Sequence, residues 1–192
     1  MMLDLDQSVK DQESPFEPLG DEHELRLLRA FEEYGVRVIV VGGYAVRFHA
    51  RPEYLELRGA QDLDLVVDGT PENLERVRRA LNSLGIADAG GAMARLAERG
   101  LGAWRWQEGR NDHYVDVFSS TEPISFDDLA GCAVTVPWQN LTLKVMSMEH
   151  LIEAKRAALV NPHRGKEKRA KDQEDLDALL ASESRRPSIG SR

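Results

Sequence analysis

Between Val40 and Val67 an apolar, strand-like run ends in Gly42-Gly43, and a second run carries Asp62-Leu63-Asp64. Glycine has no Cβ, so a backbone turn built from two of them can approach a phosphate closely. Side chains alternate along a strand, so carboxylates at i and i+2 point to one face. Two carboxylates beside a phosphate-sized turn match the needs of a Mg²⁺–nucleotide complex. The stretch points toward nucleotidyl transfer.

The elements around it follow the order α, β, short α, β, α, β, then mixed strands and two helices. Leu25, Leu27, Leu28 and Phe31 recur at near-helical spacing between Asp21 and Tyr34, and Gly35 is placed to end that helix. Val36 to Val41 is β-branched and apolar, a buried first strand. Residues 44–50 read as a short helix whose N-terminus faces the glycine turn. Leu63 to Val67 makes the second strand, and Thr70-Pro71 opens a helix through Leu84 that Gly85 stops. Residues 86–100 read as a loop with one helical turn. Trp104 and Trp106 alternate on a strand, Gly109 turns it, and a third central strand runs from His113 to Phe118.

Val134 to Pro137 and Leu141 to Val145 read as short edge strands around Gln139-Asn140. Ser147 caps a helix through Leu159, and Asn161 to Gly165 break it before a last helix ending near Leu180. The expected fold class is α+β, a small mixed β-sheet with packed helices and a C-terminal helical pair. The chain divides into a mobile N-terminal arm (1–20), a core (21–146), C-terminal helices (147–182) and a disordered tail (183–192).

With 192 residues the chain suits one domain, or a small core with an appended helical subdomain. No apolar run approaches the ~20 residues that cross a bilayer, and the acidic N-terminus lacks the basic and apolar regions of a signal peptide. The single cysteine, Cys132, excludes an internal disulfide framework and a multi-cysteine zinc site, and fits a reducing cytoplasm. A net charge of −8 argues against broad nonspecific nucleic-acid binding, which relies on Lys and Arg to neutralise phosphates. Against that balance, residues 163–171 are strongly basic. They read either as a solvated loop and helix start or as a lid over a triphosphate or a nucleic-acid acceptor.

Five segments carry a family resemblance. They are VGGYAV at 41–46, Arg58 four residues before DLDLVV at 62–67, YVDVF at 114–118, LIEAKRAAL at 151–159 and RAKDQEDLDAL at 169–179. In this order and spacing the chain resembles the nucleotidyltransferases of the DNA polymerase beta superfamily, from about Leu25 to Leu180. It looks closest to the small prokaryotic branch that holds antibiotic nucleotidyltransferases and abortive-infection, type IV toxin-like proteins. Ala60 stands where many relatives have Thr or Ser, and Tyr44 where more distant ones have serine.

The resemblance implies transfer of NMP from an NTP to a hydroxyl, with release of pyrophosphate and with Mg²⁺ or Mn²⁺ as cofactor. The acceptor is a small molecule, a protein side chain or an RNA 3′ end, and the sequence leaves these open. Two other readings stand beside it: an antitoxin-like, non-catalytic member that binds another protein, and a phosphotransferase using the same metals. Three clustered carboxylates favour an enzyme over a binding module.

Asp62, Asp64 and Asp116 are the candidate catalytic and metal-ligating residues. Two Mg²⁺ ions about 3.5–4 Å apart and bridged by carboxylates neutralise the charge that develops in such a transfer. Asp62 and Asp64 would be merely solvent-facing on an edge strand, yet Leu65-Val66-Val67 makes that strand look central. Asp116 interrupts an apolar strand, where a carboxylate is costly without a partner.

Gly42 and Gly43 are expected to hold β- and γ-phosphates through backbone N–H groups, although a plain strand-to-helix turn would need them too. Arg58, and less so Arg51, could reach a phosphate, pair with the carboxylates or be solvated. Lys155, then Lys171, are the phosphate-binding lysines that the resemblance implies, while Asp172 and Asp175 read as structural ion pairs. Trp104, Trp106 and Trp138 read as core residues ahead of base-stacking platforms. The histidines suggest no zinc site, and Ser119-Ser120 has no His–Asp partners for nucleophilic work.

Overall fold

A computed structural model describes residues 22–50, 63–88, 90–108, 111–119, 125–138 and 140–184. The N-terminal arm, most of the C-terminal tail, Arg51, Arg58, Asp62, Gly109 and Gln139 lie outside the described residues.

Helix α1 (Glu22–Glu33) buries Leu25, Leu27, Leu28 and Phe31, the stripe that its spacing requires. Strand β1 (Val38–Val40) is shorter than its apolar run, because Val41 leaves the ladder to cap α2 (Gly42–His49). The Val41 amide still donates to the Asp64 carbonyl at 3.0 Å. Both glycines fall inside α2, so this helix starts two residues earlier than expected. Tyr44 turns inward there, and its buried hydroxyl donates to the Glu24 carboxylate of α1.

Strand β2 (Leu63–Val67) sits in the middle of a six-stranded mixed sheet of order β3-β4-β2-β1-β6-β5. It pairs antiparallel to β1, with Ile39 opposite Val66. It pairs parallel to β4 (Asn111–Phe118), with Leu65 opposite Val117. Strand β3 (Leu101–Glu108) folds back on β4. On the other side β6 (Leu141–Val145) runs parallel to β1 and antiparallel to β5 (Val134–Trp138). Strand β5 is an edge, but β6 is internal, contrary to expectation. Its strict alternation, with Thr142 and Lys144 exposed, reports one uncovered face rather than an unpaired edge.

Helix α3 (Pro71–Ser83) starts as the Thr70-Pro71 pair requires and buries Leu74, Val77, Ala80 and Leu81. The region expected to hold a loop and one turn instead contains α4 (Ala92–Arg99), set between the left-handed Gly91 and Gly100. Helix α5 (Phe126–Cys132) was not expected at all. Ser125 caps it by accepting the Asp128 amide at 3.2 Å, and Leu129 is its one buried residue, so it shows no periodic stripe. The C-terminal pair, α6 (Met148–Val160) and α7 (Lys166–Glu183), pack against each other and against α2. The basic run therefore ends within the first turns of a helix.

Leu63, Leu65, Val67, Val115 and Val117 are fully buried on one face of β2 and β4. The opposite face carries half-buried Asp64 and Asp116. Trp104 and Trp138 are buried, as core residues should be, and Trp138 packs edge-on to Phe48 at 6.3 Å between centroids. Among the described residues no helix is long and apolar enough to cross a membrane.

Candidate active site

The parallel register of β2 and β4 sets Asp64 directly beside Asp116. Neighbouring strands lie about 4.8 Å apart, so two carboxylates of like charge share one small patch of the sheet. Such a pair repels unless a cation neutralises it. Asp62 lies outside the described residues. Among the described residues no three His, Cys, Asp or Glu side chains gather as a metal-binding group.

Gly42 closes the patch. Its φ of 62° is left-handed, which disfavours any residue with a Cβ. A Cβ built there would overlap the Asp64 carboxylate and come within 2.8 Å of Asp64 Cγ. The glycine is therefore needed twice, for its backbone conformation and for the carboxylate that lies against it. At Gly43, by contrast, a Cβ would meet no atom of another described element within 4 Å. Among the described residues no side chain caps the start of α2, so its first amides lack a side-chain acceptor.

From Gly42 a cleft of about 360 Å³ runs along α6. Val41, Gly42, Phe118 and Met146 form its sheet side, and His150, Leu151, Lys155 and Ala158 its helix side. Phe118 lies two residues beyond Asp116 on the same face of β4, and Gly42 lies against Asp64, so the carboxylate pair borders the cleft's wall. The wall is held in place by the Met146 amide donating to the Val40 carbonyl at 2.9 Å. The Met146 carbonyl in turn contacts His49 Nε2 at 2.8 Å.

At its far end the cleft meets an ion-pair network. Lys155 Nζ lies 2.9 Å from Asp172 Oδ1 and 2.7 Å from Asp175 Oδ2. Arg164 donates from Nε to Asp172 Oδ2 at 2.7 Å and from Nη2 to Oδ1 at 3.1 Å. Both carboxylates are fully buried in the α6–α7 interface, where Lys155 and Arg164 offset their charge. Burial pushes the Asp172 carboxyl up. The hydrogen bonds from Arg164 and Lys155 outweigh that and hold it below its ordinary value.

The structure thus brings Gly42, Lys155 and Arg164 around one cleft, and the Asp64–Asp116 pair lies next to its Gly42 end without lining it. Lys171 does not join them; it is exposed on α7 and absent from the cleft's lining. Asp172 and Asp175 form ion pairs, as the sequence indicated. Phe118 has no counterpart among the expected site residues, and Arg164 was expected only as one member of the basic run 163–171. The basic run hid Arg164 among Lys166, Lys168 and Arg169, and Arg169 itself clasps the α6–α7 connection by donating to the Asn161 and Pro162 carbonyls. Asp127 pairs with Arg37 at 3.0 Å, away from the cleft. His113 is buried against His23, with ring centroids 4.0 Å apart.

The same architecture occurs in a solved antigenic nucleotidyltransferase-like protein from Paracoccidioides brasiliensis. That chain superposes with a TM-score of 0.51 at 17% identity, over 86% of this chain and 78% of that one. The fold is nucleotidyltransferase-like. A structure of ANT(2″)-Ia in complex with adenylyl-2″-tobramycin gives a TM-score of 0.45 at 15% identity, over 85% of this chain and 97% of that one. No family model and no curated protein matches the sequence.

The two glycines make a testable contrast. Gly42→Ala is expected to destabilise the protein by about 2–4 kcal/mol, from a left-handed alanine and from overlap with Asp64. Gly43→Val should leave the ligand-free melting temperature within a few degrees, since its side chain enters open space. Thermal denaturation of both variants checks this; equal losses of stability would contradict the assignment of the two positions.

Proposed function

We propose that this protein is a divalent-cation-dependent nucleotidyltransferase that moves NMP from an NTP to an acceptor hydroxyl and releases pyrophosphate. The observation that carries the reading is the register of Asp64 with Asp116, with Gly42 pressed against Asp64 at the mouth of the cleft. Two half-buried carboxylates from neighbouring strands fit a hard cation, which prefers oxygen ligands. Asp64 and Asp116, joined by Asp62, would hold Mg²⁺ or Mn²⁺. When bound, the metal supplies charge neutralisation at the α-phosphate and at the departing pyrophosphate.

The chain's own groups complete the reaction. The amides of Gly42 and Gly43 receive β- and γ-phosphate oxygens. Lys155 and Arg164 face the cleft as cations for the remaining phosphate charge, with Asp172 and Asp175 fixing where they stand. Arg58 and Lys171 are further phosphate ligands in this reading. Asp116 takes the proton of the acceptor hydroxyl. The hydroxyl oxygen then bonds to the α-phosphorus, the bond to the bridging oxygen breaks, and pyrophosphate leaves with the electron pair.

Incubating the protein with each labelled NTP, Mg²⁺ and fractions of cell lysate should yield a labelled product. Mg²⁺–NTP should also stabilise the wild type by about 2.7 kcal/mol at 100-fold excess over Kd. Gly43→Val should lose that stabilisation, because its branched side chain stands where the phosphate sits. A wild type that gains no stability from any Mg²⁺–NTP and labels no fraction would sink the enzymatic reading and leave the protein-binding alternative.

A further inference from the structure

The cleft along α6 has two unlike margins. Glu153 and Lys155 both line it, two residues apart on the helix. Two residues turn through about 200°, so the two side chains leave opposite sides of the lining strip. Between them Ala154, Ala157 and Ala158 present only methyl groups, and Phe118 lines the cleft from the sheet side. A methyl floor with an aromatic ring across from it makes a slot for a flat ring. Glu153 repels a triphosphate, so the phosphates of a bound nucleotide lie toward Lys155 and Arg164 and its base toward Glu153.

The acidic margin carries a hydrogen-bonding pair. The Glu153 carboxylate is exposed and has no hydrogen-bond or ion-pair partner among the described residues. His150, three residues earlier, is its neighbour on the same helix face and also lines the cleft. The ring is half-buried, and its Nδ1 is buried without a hydrogen-bond partner among the described residues. A buried N–H lacking an acceptor is costlier than a bare lone pair, so the neutral ring keeps its hydrogen on Nε2. The margin thus offers a donor from His150 beside an acceptor from Glu153.

We propose that His150 and Glu153 read the base of the donor nucleotide and select guanine, so that GTP is the NTP this cleft takes. The edge of guanine carries the O6 acceptor beside two donors, the N1 hydrogen and the 2-amino group. His150 donates to O6, and the carboxylate accepts from both nitrogens. Adenine presents the reverse, an amino donor beside a bare ring nitrogen, which would set donor against donor and lone pair against carboxylate. Cytosine shares that reversed edge, and uracil has a single N–H for the carboxylate. This inference rests on the nucleotidyl-transfer reading above and deepens it.

The test titrates the full-length protein calorimetrically with GTP, ITP, ATP, CTP and UTP in the presence of Mg²⁺. GTP should bind at least tenfold more tightly than ATP, CTP or UTP, and ITP, which lacks the 2-amino group, should fall between. Glu153→Gln should weaken GTP at least tenfold and tighten ATP, because a glutamine amide pairs with adenine's amino group and ring nitrogen together. His150→Phe keeps a ring but removes the donor; it should weaken GTP and ITP at least fivefold and leave ATP within twofold. A merely structural role for either residue would weaken all five nucleotides alike.

ATP, CTP or UTP binding as tightly as GTP, or a Glu153→Gln protein that keeps the wild-type order, overturns the guanine site and leaves the transferase reading standing. Selective GTP binding that depends on both residues, with no acceptor labelled in any fraction, removes the transferase reading and keeps the guanine site. Failure of all five nucleotides to bind overturns both.

Discussion

Asp116→Asn is expected to lower kcat by about a thousandfold or more while the fold survives. A carboxylate that holds a divalent cation and accepts the acceptor's proton supplies several kcal/mol to the transition state, and each 1.36 kcal/mol is about tenfold in rate. The amide is nearly the same size, but it carries no charge and takes no proton near neutral pH. Asp64→Asn should behave alike, since the parallel register places the two carboxylates side by side.

Stability should move the other way. Removing one of two adjacent like charges relieves repulsion, so each variant should melt at or above the wild-type temperature without metal. Mg²⁺ should raise the melting temperature of the wild type and do much less for the variants. Calorimetry with and without Mg²⁺, followed by a turnover assay, separates the two effects. Variants that melt lower and keep their activity would remove Asp64 and Asp116 from the reaction.

What the sequence revealed of this site was what short-range rules govern. Glycine before a helix and carboxylates two apart on a strand are local patterns, and Gly42 and Asp64 were legible for that reason. That Asp116 belongs with Asp64 follows from the family resemblance and from the cost of a carboxylate in an apolar strand, but the parallel register that sets them side by side does not, because pairing between strands some fifty residues apart leaves no mark on either strand. The same limit applies to Lys155. A lysine on a half-exposed helix looks identical whether it waits for a phosphate or serves a carboxylate, and its partners Asp172 and Asp175 arrive only on the next helix. Helix α5 was missed for a different reason: with Leu129 alone buried, there was no stripe to find. The alternation of β6 suggests an edge strand, but it reports which face is covered and not how many neighbours a strand has.

The buried network between α6 and α7 carries the second large effect. Asp172→Ala is expected to cost about 3–5 kcal/mol, because it strips Arg164 of a bidentate carboxylate and removes one buried carboxylate from Lys155. Lys155→Met should cost a similar amount, as the buried Asp172 and Asp175 then both lose a cation at 2.7–2.9 Å. The double variant Lys155→Met/Asp175→Leu should be more stable than Lys155→Met alone, since it removes a cation and an anion together and leaves the Arg164–Asp172 pair intact.

The pH dependence has a definite sign. The Asp172 carboxyl is held below its ordinary value in the folded protein. Its contribution is therefore fully present at neutral pH and is lost as pH falls below the ordinary carboxylate value of about 3.9. Asp172→Asn should flatten that part of the acid limb. Because Lys155, Arg164 and Asp172 also line the cleft, its disruption should weaken Mg²⁺–NTP binding along with stability. Urea titrations of the single and double variants from pH 7 down to pH 3 test all of this; additive losses in the double variant would show that Lys155 and Asp175 do not act as a pair.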